Sequence, residues 1–311
     1  MKKFLKRIFA ISVLSAIFVV VMAPAAYFTE MRLLKRDLTL DSGIKGAIVG
    51  DSRVEVYFDP SHMPGWKNFG YSGMPFAITA QKARLLATLN PDLKCIVIDV
   101  WPNKFFERLD VPFENVPEAS ALFEVTACED MPPPSFKTVK RFFAGVLNPG
   151  INDIFYPFGV QSQLAGGFFY DRKFIEEKIS ERFPYGKEFP PPEKPLELPP
   201  VPVGGEIILE HLVRDLQAQG VNVVLTTTPV LFIDKRWTPE ALGYFERRMC
   251  EISAKHGVPW YNWLHEMQDD LHLWADGLHV NHLGAPIFTR AALPLLEPHA
   301  RRLPTIPRSQ F

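Results

Sequence analysis

Short apolar runs that alternate with helical patterns are the feature that most constrains the fold of this chain. We predict strands at residues 44–49, 66–71, 93–100, 221–227 and 258–263. Helical patterns lie between these runs and after the last one, at residues 75–89, 205–219, 238–256 and 285–295. Because strands that alternate with helices pair in parallel and bury both faces of the sheet, the pattern predicts an α/β domain over residues 44–297.

Turn-forming residues set the expected ends of these elements. Gly50 follows the first strand, and we predict a loop rather than a helix after it because Asp59-Pro60 comes soon afterwards. Trp101-Pro102-Asn103 after the third strand is predicted to be a turn. Thr238 and Gly257 are the expected N-cap and left-handed C-cap of the same helix.

The first thirty residues carry a membrane signal. Residues 8–28 are apolar and uncharged, close to the ~20 residues that cross a bilayer as a helix. Basic residues precede this run and favour a cytoplasmic N-terminus: Lys2, Lys3, Lys6 and Arg7. We predict a cytoplasmic N-terminus and one transmembrane anchor at residues 1–30, a tether at 31–43, and a body outside the cytoplasm, in the periplasm or at the cell surface. Ala23-Pro24-Ala25 leaves open a cleaved signal peptide instead.

Regular alternation stops between residues 104 and 202, which we predict to be an insertion in the α/β domain. It is rich in phenylalanine, contains one helical pattern at 171–182, and ends in a proline-rich stretch that favours extended structure. Two interpretations of the insertion remain open, a lid or binding loop and a hydrophobic cluster that covers one flank of the sheet. Residues 298–311 are predicted to be a tail.

Composition excludes several classes of function. The formal net charge is -1, and no basic stripe or zinc-finger spacing is present, so no nucleic-acid partner is expected. Cys95, Cys128 and Cys250 include no CxxC pair, which excludes a zinc ribbon and a thioredoxin-type redox motif. Cys95 lies in an apolar run and is predicted to be buried, and a disulfide between Cys128 and Cys250 remains open.

Polar residues follow the first and last strands in a pattern suited to nucleophilic catalysis. Ser52 follows the first strand, and Asp276 and His279 follow the last. A serine hydroxyl becomes a good nucleophile when a base removes its proton and a third group orients that base. Because loops at the carboxyl ends of parallel strands meet at one edge, Ser52 and His279 are expected to come together. The Ser52 amide, the Gly73 amide and the Asn103 side chain are the candidate donors of an oxyanion hole.

Four blocks in this order resemble the SGNH (GDSL) hydrolase superfamily. They are Gly50-Asp51-Ser52, Tyr71-Ser72-Gly73, Asn103, and Asp276-Gly277-Leu278-His279-Val280-Asn281 with Gly284. The resemblance covers residues 44–103 and 205–295 and implies a three-layer α/β/α fold with a parallel sheet. It also implies that Ser52 is the nucleophile, His279 the base and Asp276 the orienting carboxylate. Ser52, Gly73 and Asn103 would line the oxyanion hole.

The match to the superfamily differs from the usual pattern in the third block and leaves a choice of glycine in the second. Trp101-Pro102-Asn103-Lys104 stands where the superfamily usually has Gly-x-Asn-Asp. Gly70 competes with Gly73 for the second block, and a Ser-Gly pair at the end of the block favours Gly73.

Structural and metal-binding interpretations of the same residues also remain open. Ser52 belongs to a residue type that caps helices, and His279 also fits an ordinary loop histidine. A metal site is the other alternative, because four residues recur at intervals of three or four: His272, Asp276, His279 and His282. Gly277 disfavours the helix that this site needs, so neither a metal nor another cofactor is expected.

The sequence and the resemblance together lead to an expected function. We expect an ester hydrolase or O-acyltransferase with an acyl-serine intermediate, acting on O-acetyl groups of an exported or cell-envelope polysaccharide. The resemblance implies this substrate, since anchored superfamily members add or remove acetyl groups on such polymers. The expected partners are an acylated glycan or another ester, the membrane, and a membrane protein. The alternatives are a lipid esterase and a non-catalytic protein that binds glycan or a partner during polymer assembly.

Overall fold

The computed structural model describes Arg32 and residues 35–106, 204–231 and 237–301. The chain divides into two compact units, one of residues 1–38 and 113–164 and the other of residues 39–112 and 165–311. The first unit contributes only Arg32 and the helical residues 35–38 to this description, and every element named below belongs to the second.

Several predicted segments lie outside the described residues. These are the anchor at 1–30, the insertion from residue 107 onward with its helical pattern at 171–182, and the tail beyond residue 301. Within the described ranges, no helix has both the length and the apolar character to cross a membrane.

Five strands form one parallel sheet in the described part of the chain. They are β1 (Gly46–Gly50), β2 (Trp66–Gly70), β3 (Cys95–Asp99), β4 (Asn222–Thr227) and β5 (Trp260–Asn262). Their order in space is β2-β1-β3-β4-β5, so the direction of strand addition reverses between β1 and β3. The predicted α/β fold with a parallel sheet is confirmed. Ligands of open α/β sheets bind beyond the carboxyl ends of the strands at such a reversal.

Helices connect and follow these strands. They are α1 (Ser52–Tyr57), α2 (Phe76–Leu89), α3 (Pro102–Phe105), α4 (Gly204–Ala218), α5 (Pro239–His256) and α6 (Gly284–Arg301). The predicted ends of α5 are confirmed: the Thr238 hydroxyl accepts the Ala241 amide at 3.2 Å, and Gly257 adopts a left-handed φ of 62°. Short 3-10 helices lie at Pro60–His62 and Leu271–Leu273.

Both faces of the sheet are buried. On one face, Ile48, Val97 and Val224 join a hydrophobic core with side chains of α1 and α6, among them Tyr57, Phe288 and Leu296. Residues that alternate with them along the strands, such as Val49 and Ile96, are buried as well. Helices α2, α4 and α5 contact β1, β4 and β5 respectively. The arrangement is compatible with a three-layer α/β/α fold.

The predicted loop after β1 is wrong, because the chain forms helix α1 there. Asp51 caps this helix, since its Oδ1 accepts the Arg53 amide at 3.0 Å. Apolar side chains of the helix are buried in the core: Val54, Val56 and Tyr57. A six-residue helix is too short to show a clear helical period in the sequence, so tertiary burial decides its conformation.

Glycines at two strand ends let α1 lie directly on the sheet. A Cβ added at Gly50 would lie 2.3 Å from Val54 Cγ2, and one added at Gly70 would lie 2.2 Å from the backbone nitrogen of Glu55. Neither position has room for a side chain.

The predicted turn after β3 is also wrong, because residues Pro102–Phe105 form helix α3. Pro102 stands at the first helical position, where its missing amide hydrogen costs no helical hydrogen bond. Phe105 is fully buried, and its ring packs edge-on against Phe245 of α5 with centroids 5.3 Å apart. This contact is distant in sequence, so the local pattern did not indicate the helix.

Helix α6 continues to Arg301, past the predicted end at residue 295 and into the predicted tail. Two prolines lie inside it, Pro294 and Pro298. Leu296 on its inner side is fully buried, and the Tyr261 hydroxyl donates to the Leu295 carbonyl at 3.3 Å. Tertiary contacts therefore stabilise a segment that its prolines alone would disfavour.

Cys95 is buried, as predicted, and Cys250 is exposed; the two are not bonded to each other. Cys128 lies outside the described residues, so a bridge between Cys128 and Cys250 stays an open prediction.

Candidate active site

Ser52, His279 and Asp276 form a continuous hydrogen-bonded line at the carboxyl edge of the sheet. His279 Nε2 lies 2.9 Å from Ser52 Oγ. His279 Nδ1 lies 2.9 Å from Asp276 Oδ2 and 3.0 Å from Oδ1. Ser52 opens α1 directly after β1, and the other two lie in the loop that leads into α6. The structure thus brings together the three residues that the sequence predicts to be nucleophile, base and orienting carboxylate.

The loop that carries His279 is held by its own backbone and by two polar side chains. Asp276 Oδ1 accepts the amides of Leu278 and His279 at 2.7 and 2.8 Å. The Asn281 side chain donates to the His272 carbonyl at 2.7 Å, and Trp274 pairs with Val280 in an antiparallel bridge. The loop therefore keeps its shape without help from the imidazole ring.

Asp276 is held in its ionised form. Burial would raise the pKa of this carboxyl, but the hydrogen bond from His279 and the two loop amides outweigh burial and leave the pKa below its usual value. An ionised carboxylate only accepts hydrogen bonds, so Nδ1 of His279 carries the ring proton. In the neutral ring with its proton on Nδ1, Nε2 is the acceptor that faces Ser52 Oγ, as a general base requires.

Ser52 does not cap α1, because Asp51 performs that role. The Ser52 hydroxyl is engaged with the His279 ring instead. The structural interpretation of Ser52 as a helix cap is therefore wrong.

Gly73 lies in a tight turn after β2. The Met74 amide donates to the Tyr71 carbonyl at 3.2 Å, and Gly73 has a φ of 72°, as the third residue of a type II turn requires. Within the described residues, the Gly73 amide donates to no other group. Gly70 differs in this respect, since its amide already donates to Asn68 Oδ1 at 2.7 Å. Of the two glycines, Gly73 is the one whose amide is available to an oxyanion.

The three candidate oxyanion donors follow three neighbouring strands. Gly73 follows β2, Ser52 follows β1 and Asn103 follows β3, and β1 lies between the other two. Asn103 is the second residue of α3 and is partly buried. In the described part of the chain, neither its side-chain amide nor the Ser52 backbone amide donates to another group.

Arg53, next to Ser52, is a buried cation that the sequence analysis missed. Its Nη2 lies 3.2 Å from Asp51 Oδ2 and 3.4 Å from Asp99 Oδ2. The guanidinium carbon lies 4.2 Å from the centroid of the Trp101 ring. These contacts fasten α1 to the end of β3. The sequence does not signal these contacts, because arginine side chains are usually exposed.

Asp99 at the end of β3 is fully buried. Burial raises its pKa to about 6, although Arg53 and the Thr228 amide favour the ionised form. The Thr228 amide donates to Asp99 Oδ1 at 2.9 Å and the Thr228 hydroxyl donates to Oδ2 at 3.2 Å. Asp99 therefore links β3, α1 and the end of β4.

Glu55 and Lys82 are a second pair of ionisable residues missed by the sequence analysis. Burial raises the pKa of Glu55 to about 7, while the Ser72 amide, His279 and Lys82 act in the opposite direction. Burial lowers the pKa of Lys82 to about 7, opposed by Glu55. A sequence signal existed for Lys82, which falls on the apolar face of the predicted helix at 75–89, four residues after Ile78.

The metal-binding alternative requires a helical face that this region lacks. His272 lies in the 3-10 helix Leu271–Leu273, whereas Asp276 and His279 lie in the following loop. Among the described residues, no group of three or more His, Cys, Asp or Glu side chains is placed to hold a metal ion.

Comparison with known proteins returns no match for this chain, either among protein-family models or among curated proteins. The resemblance to the SGNH superfamily therefore stays a prediction from the four sequence blocks. The fold alone does not identify an activity, because α/β sheets of this kind host many functions.

Proposed function

We propose that this chain is a serine ester hydrolase or O-acyltransferase of the SGNH type, carried outside the cytoplasm by an N-terminal membrane anchor. The observation that carries the proposal is the hydrogen-bonded line from Ser52 through His279 to Asp276. A nucleophile, a base and an orienting group within hydrogen-bond distance of each other are the signature of covalent catalysis by serine.

Acylation follows from this geometry. His279 Nε2 takes the proton of Ser52 Oγ while the oxygen attacks the ester carbonyl. The carbonyl oxygen becomes an oxyanion that the amides of Ser52 and Gly73 and the side chain of Asn103 stabilise. The intermediate collapses, the bond to the leaving alcohol breaks, and His279 returns the proton to that alcohol. The acyl group is then bound to Ser52.

Deacylation decides between the two reactions. Attack by water on the acyl-serine releases a carboxylic acid, whereas attack by a sugar hydroxyl transfers the acyl group to a glycan. His279 removes the proton from either attacking group, so the same three residues serve both reactions. The triad is thus compatible with hydrolase and transferase activity.

The preferred substrate class is an O-acetyl ester on an exported or cell-envelope polysaccharide. The predicted export of the chain and the aromatic composition of residues 104–202 support this choice, together with the resemblance to anchored superfamily members. The expected partners are the glycan, the membrane and a membrane protein.

A fluorophosphonate probe tests the nucleophile directly. The full-length chain in detergent should gain the mass of one phosphonyl adduct, and peptide mapping should place the adduct on Ser52. Ser52→Ala should abolish labelling, whereas Ser61→Ala, an exposed serine in a 3-10 helix, should label like the wild type. Absence of labelling in the wild type would favour the non-catalytic alternative.

Ester release tests the reaction and the acyl chain. Hydrolysis of p-nitrophenyl acetate should fall at least ~10³-fold in Ser52→Ala. A preference for octanoate over acetate would favour a lipid esterase. Adding an acetyl donor together with a polysaccharide acceptor should give acetylated glycan if the enzyme is a transferase.

A further inference from the structure

The residues on either side of Ser52 are joined to each other. Asp51 precedes Ser52 and Arg53 follows it. Arg53 Nε donates to Asp51 Oδ1 and Arg53 Nη2 donates to Asp51 Oδ2, both at 3.2 Å, so the two side chains pair through a fork of two hydrogen bonds. The Arg53 amide also donates to Asp51 Oδ1 at 3.0 Å. The backbone that presents the Ser52 hydroxyl is therefore held from both sides.

Arg53 extends this pairing to strand β3. Its Nη2 lies 3.4 Å from Asp99 Oδ2. The end of β4 fixes Asp99 in turn, because the Asp99 carboxylate accepts the amide and the hydroxyl of Thr228 at 2.9 and 3.2 Å. Arg53 and Asp99 each have a relative exposure of 2%, so salt and solvent screen their contact little. The guanidinium is thus fixed between α1 and the sheet.

The guanidinium of Arg53 also covers one face of the Trp101 ring, with its carbon 4.2 Å from the ring centroid. Among the described residues, the indole N–H of Trp101 donates to no group, so packing rather than a hydrogen bond holds this ring. The Trp101 carbonyl accepts the amides of Lys104 and Phe105, both at 2.9 Å, and thereby starts helix α3. Asn103, the third candidate oxyanion donor, is the second residue of that helix.

Stability alone does not explain a cation at this position. In the described part of the chain, Nη1 of Arg53 is buried and has no hydrogen-bond partner, which costs free energy. A buried ion pair is often no more stable than well-packed apolar side chains of similar volume. The contacts of Arg53 nevertheless end at both sides of the proposed site, at Asp51 directly before Ser52 and at Trp101 two residues before Asn103.

We propose that Arg53 is a positioning residue that fixes the Ser52 hydroxyl and the Asn103 side chain relative to each other. The acyl carbon bonds to Ser52 Oγ while Asn103 donates to the oxyanion on the same carbon, so the rate depends on the separation of these two groups. This inference rests on the proposed function, because it assigns Arg53 to the same reaction. Arg53 does not touch the reacting atoms in this mechanism.

A conservative variant tests this role by kinetics. Arg53→Lys keeps the positive charge but lacks the planar fork that pairs with Asp51, so kcat should fall about tenfold with little change in KM. Arg84→Lys is the matched control, because Arg84 Nε lies 2.8 Å from Asp215 Oδ2 between α2 and α4, and its kcat should equal that of the wild type. Wild-type kcat in Arg53→Lys would overturn the inference.

A double variant separates positioning from stability. Arg53→Met combined with Asp99→Asn removes both buried charges together, so Tm should stay within about 4 °C of the wild-type value. The kcat for p-nitrophenyl acetate should nevertheless fall about 10²-fold with little change in KM. A folded double variant with wild-type kcat would overturn the inference. If the double variant does not fold, Arg53→Lys decides alone.

Amide hydrogen exchange tests the same inference without relying on catalysis. In Arg53→Lys, the peptides that cover residues 51–57 and 101–106 should both exchange at least ~10-fold faster than in the wild type or in Arg84→Lys, while β2 keeps its protection. Unchanged exchange at residues 101–106 overturns the inference whether or not the wild type hydrolyses esters. Absence of fluorophosphonate labelling in the wild type, together with the expected exchange in Arg53→Lys, would instead overturn the proposed function alone.

Discussion

Replacing Gly70 by alanine should displace the nucleophile without touching it. A Cβ at this position would lie 2.2 Å from the Glu55 nitrogen, 2.7 Å from the Glu55 Cα and 2.8 Å from the Val54 carbonyl carbon. All three are backbone atoms of α1, so no side-chain rotation relieves the contact. Ordinary contact distances require the helix to move away from β2 by roughly 1 Å.

Gly70→Ala should lower both the stability and the activity, and the two losses can be measured separately. Inserting a methyl group into a packed contact costs about 1–3 kcal/mol of the free energy of unfolding. Because Ser52 belongs to the displaced helix, its Oγ leaves the position 2.9 Å from His279 Nε2. A misplacement of about 1 Å at a reacting group lowers the rate on the order of 10²-fold. The activity should therefore fall further than the stability alone explains.

The measurement combines urea unfolding with the rate of p-nitrophenyl acetate hydrolysis in the folded fraction. Gly243→Ala is the matched control, because a Cβ at Gly243 meets nothing within 4 Å and the residue lies inside α5. This control should gain up to ~1 kcal/mol of stability through better helix propensity and keep its activity. If Gly70→Ala behaved like Gly243→Ala in both assays, the close contact between α1 and β2 would be refuted.

Two further predictions follow from the carboxylates of the site. In Asp276→Asn, the new side chain keeps an oxygen acceptor for the loop amides but donates to His279 Nδ1. Nε2 of His279 then carries the ring proton and cannot accept the proton of Ser52, so kcat should fall about 10³–10⁴-fold with little change in Tm. A loss of kcat below tenfold would contradict the orienting role assigned to Asp276. Burial holds the pKa of Asp99 at about 6, above the 3.8 of an ordinary aspartate, so between about pH 4 and 6 the folded protein keeps a proton that the unfolded chain releases. As the pH rises from about 4 to 6, the free energy of unfolding of the wild type should therefore fall by about 1–3 kcal/mol relative to that of Asp99→Asn. Urea titration at each pH measures this difference, and a difference that does not change with pH would contradict the linkage.

The strands and long helices were predictable because their signals are local. Each strand is a short apolar run that ends at a turn residue, and α5 carries its caps in the sequence at Thr238 and Gly257. The three errors share a different cause. Helix α1, helix α3 and the last turns of α6 are stabilised by contacts with residues distant in sequence, such as the ring of Phe245 against Phe105.

The residues of the candidate site also divide into those with a local signal in the sequence and those without one. Ser52, Gly73, Asn103 and the Asp276–His279 loop all follow strand ends, so a parallel sheet brings them to one edge. The residues that hold them in place gave no comparable signal. Arg53 of α1 is buried beside Asp99 of β3 and the Trp101 ring, and both partners are distant from it in sequence.

Helix α1 connects Ser52 and the loop of His279 more directly than the sheet does. Its first residue, Ser52, carries the hydroxyl of the proposed nucleophile, and its last residue, Tyr57, reaches the segments around His279. The Tyr57 hydroxyl lies 2.8 Å from the Pro229 carbonyl and 3.4 Å from that of Leu278, the residue before His279. A movement of α1 would therefore act on the nucleophile and on the loop of the base together. The hydrogen bond between Ser52 and His279 depends on the position of α1. This dependence gives a physical reason for so short a helix to be fixed by a cap, a buried ion pair and two close glycine contacts.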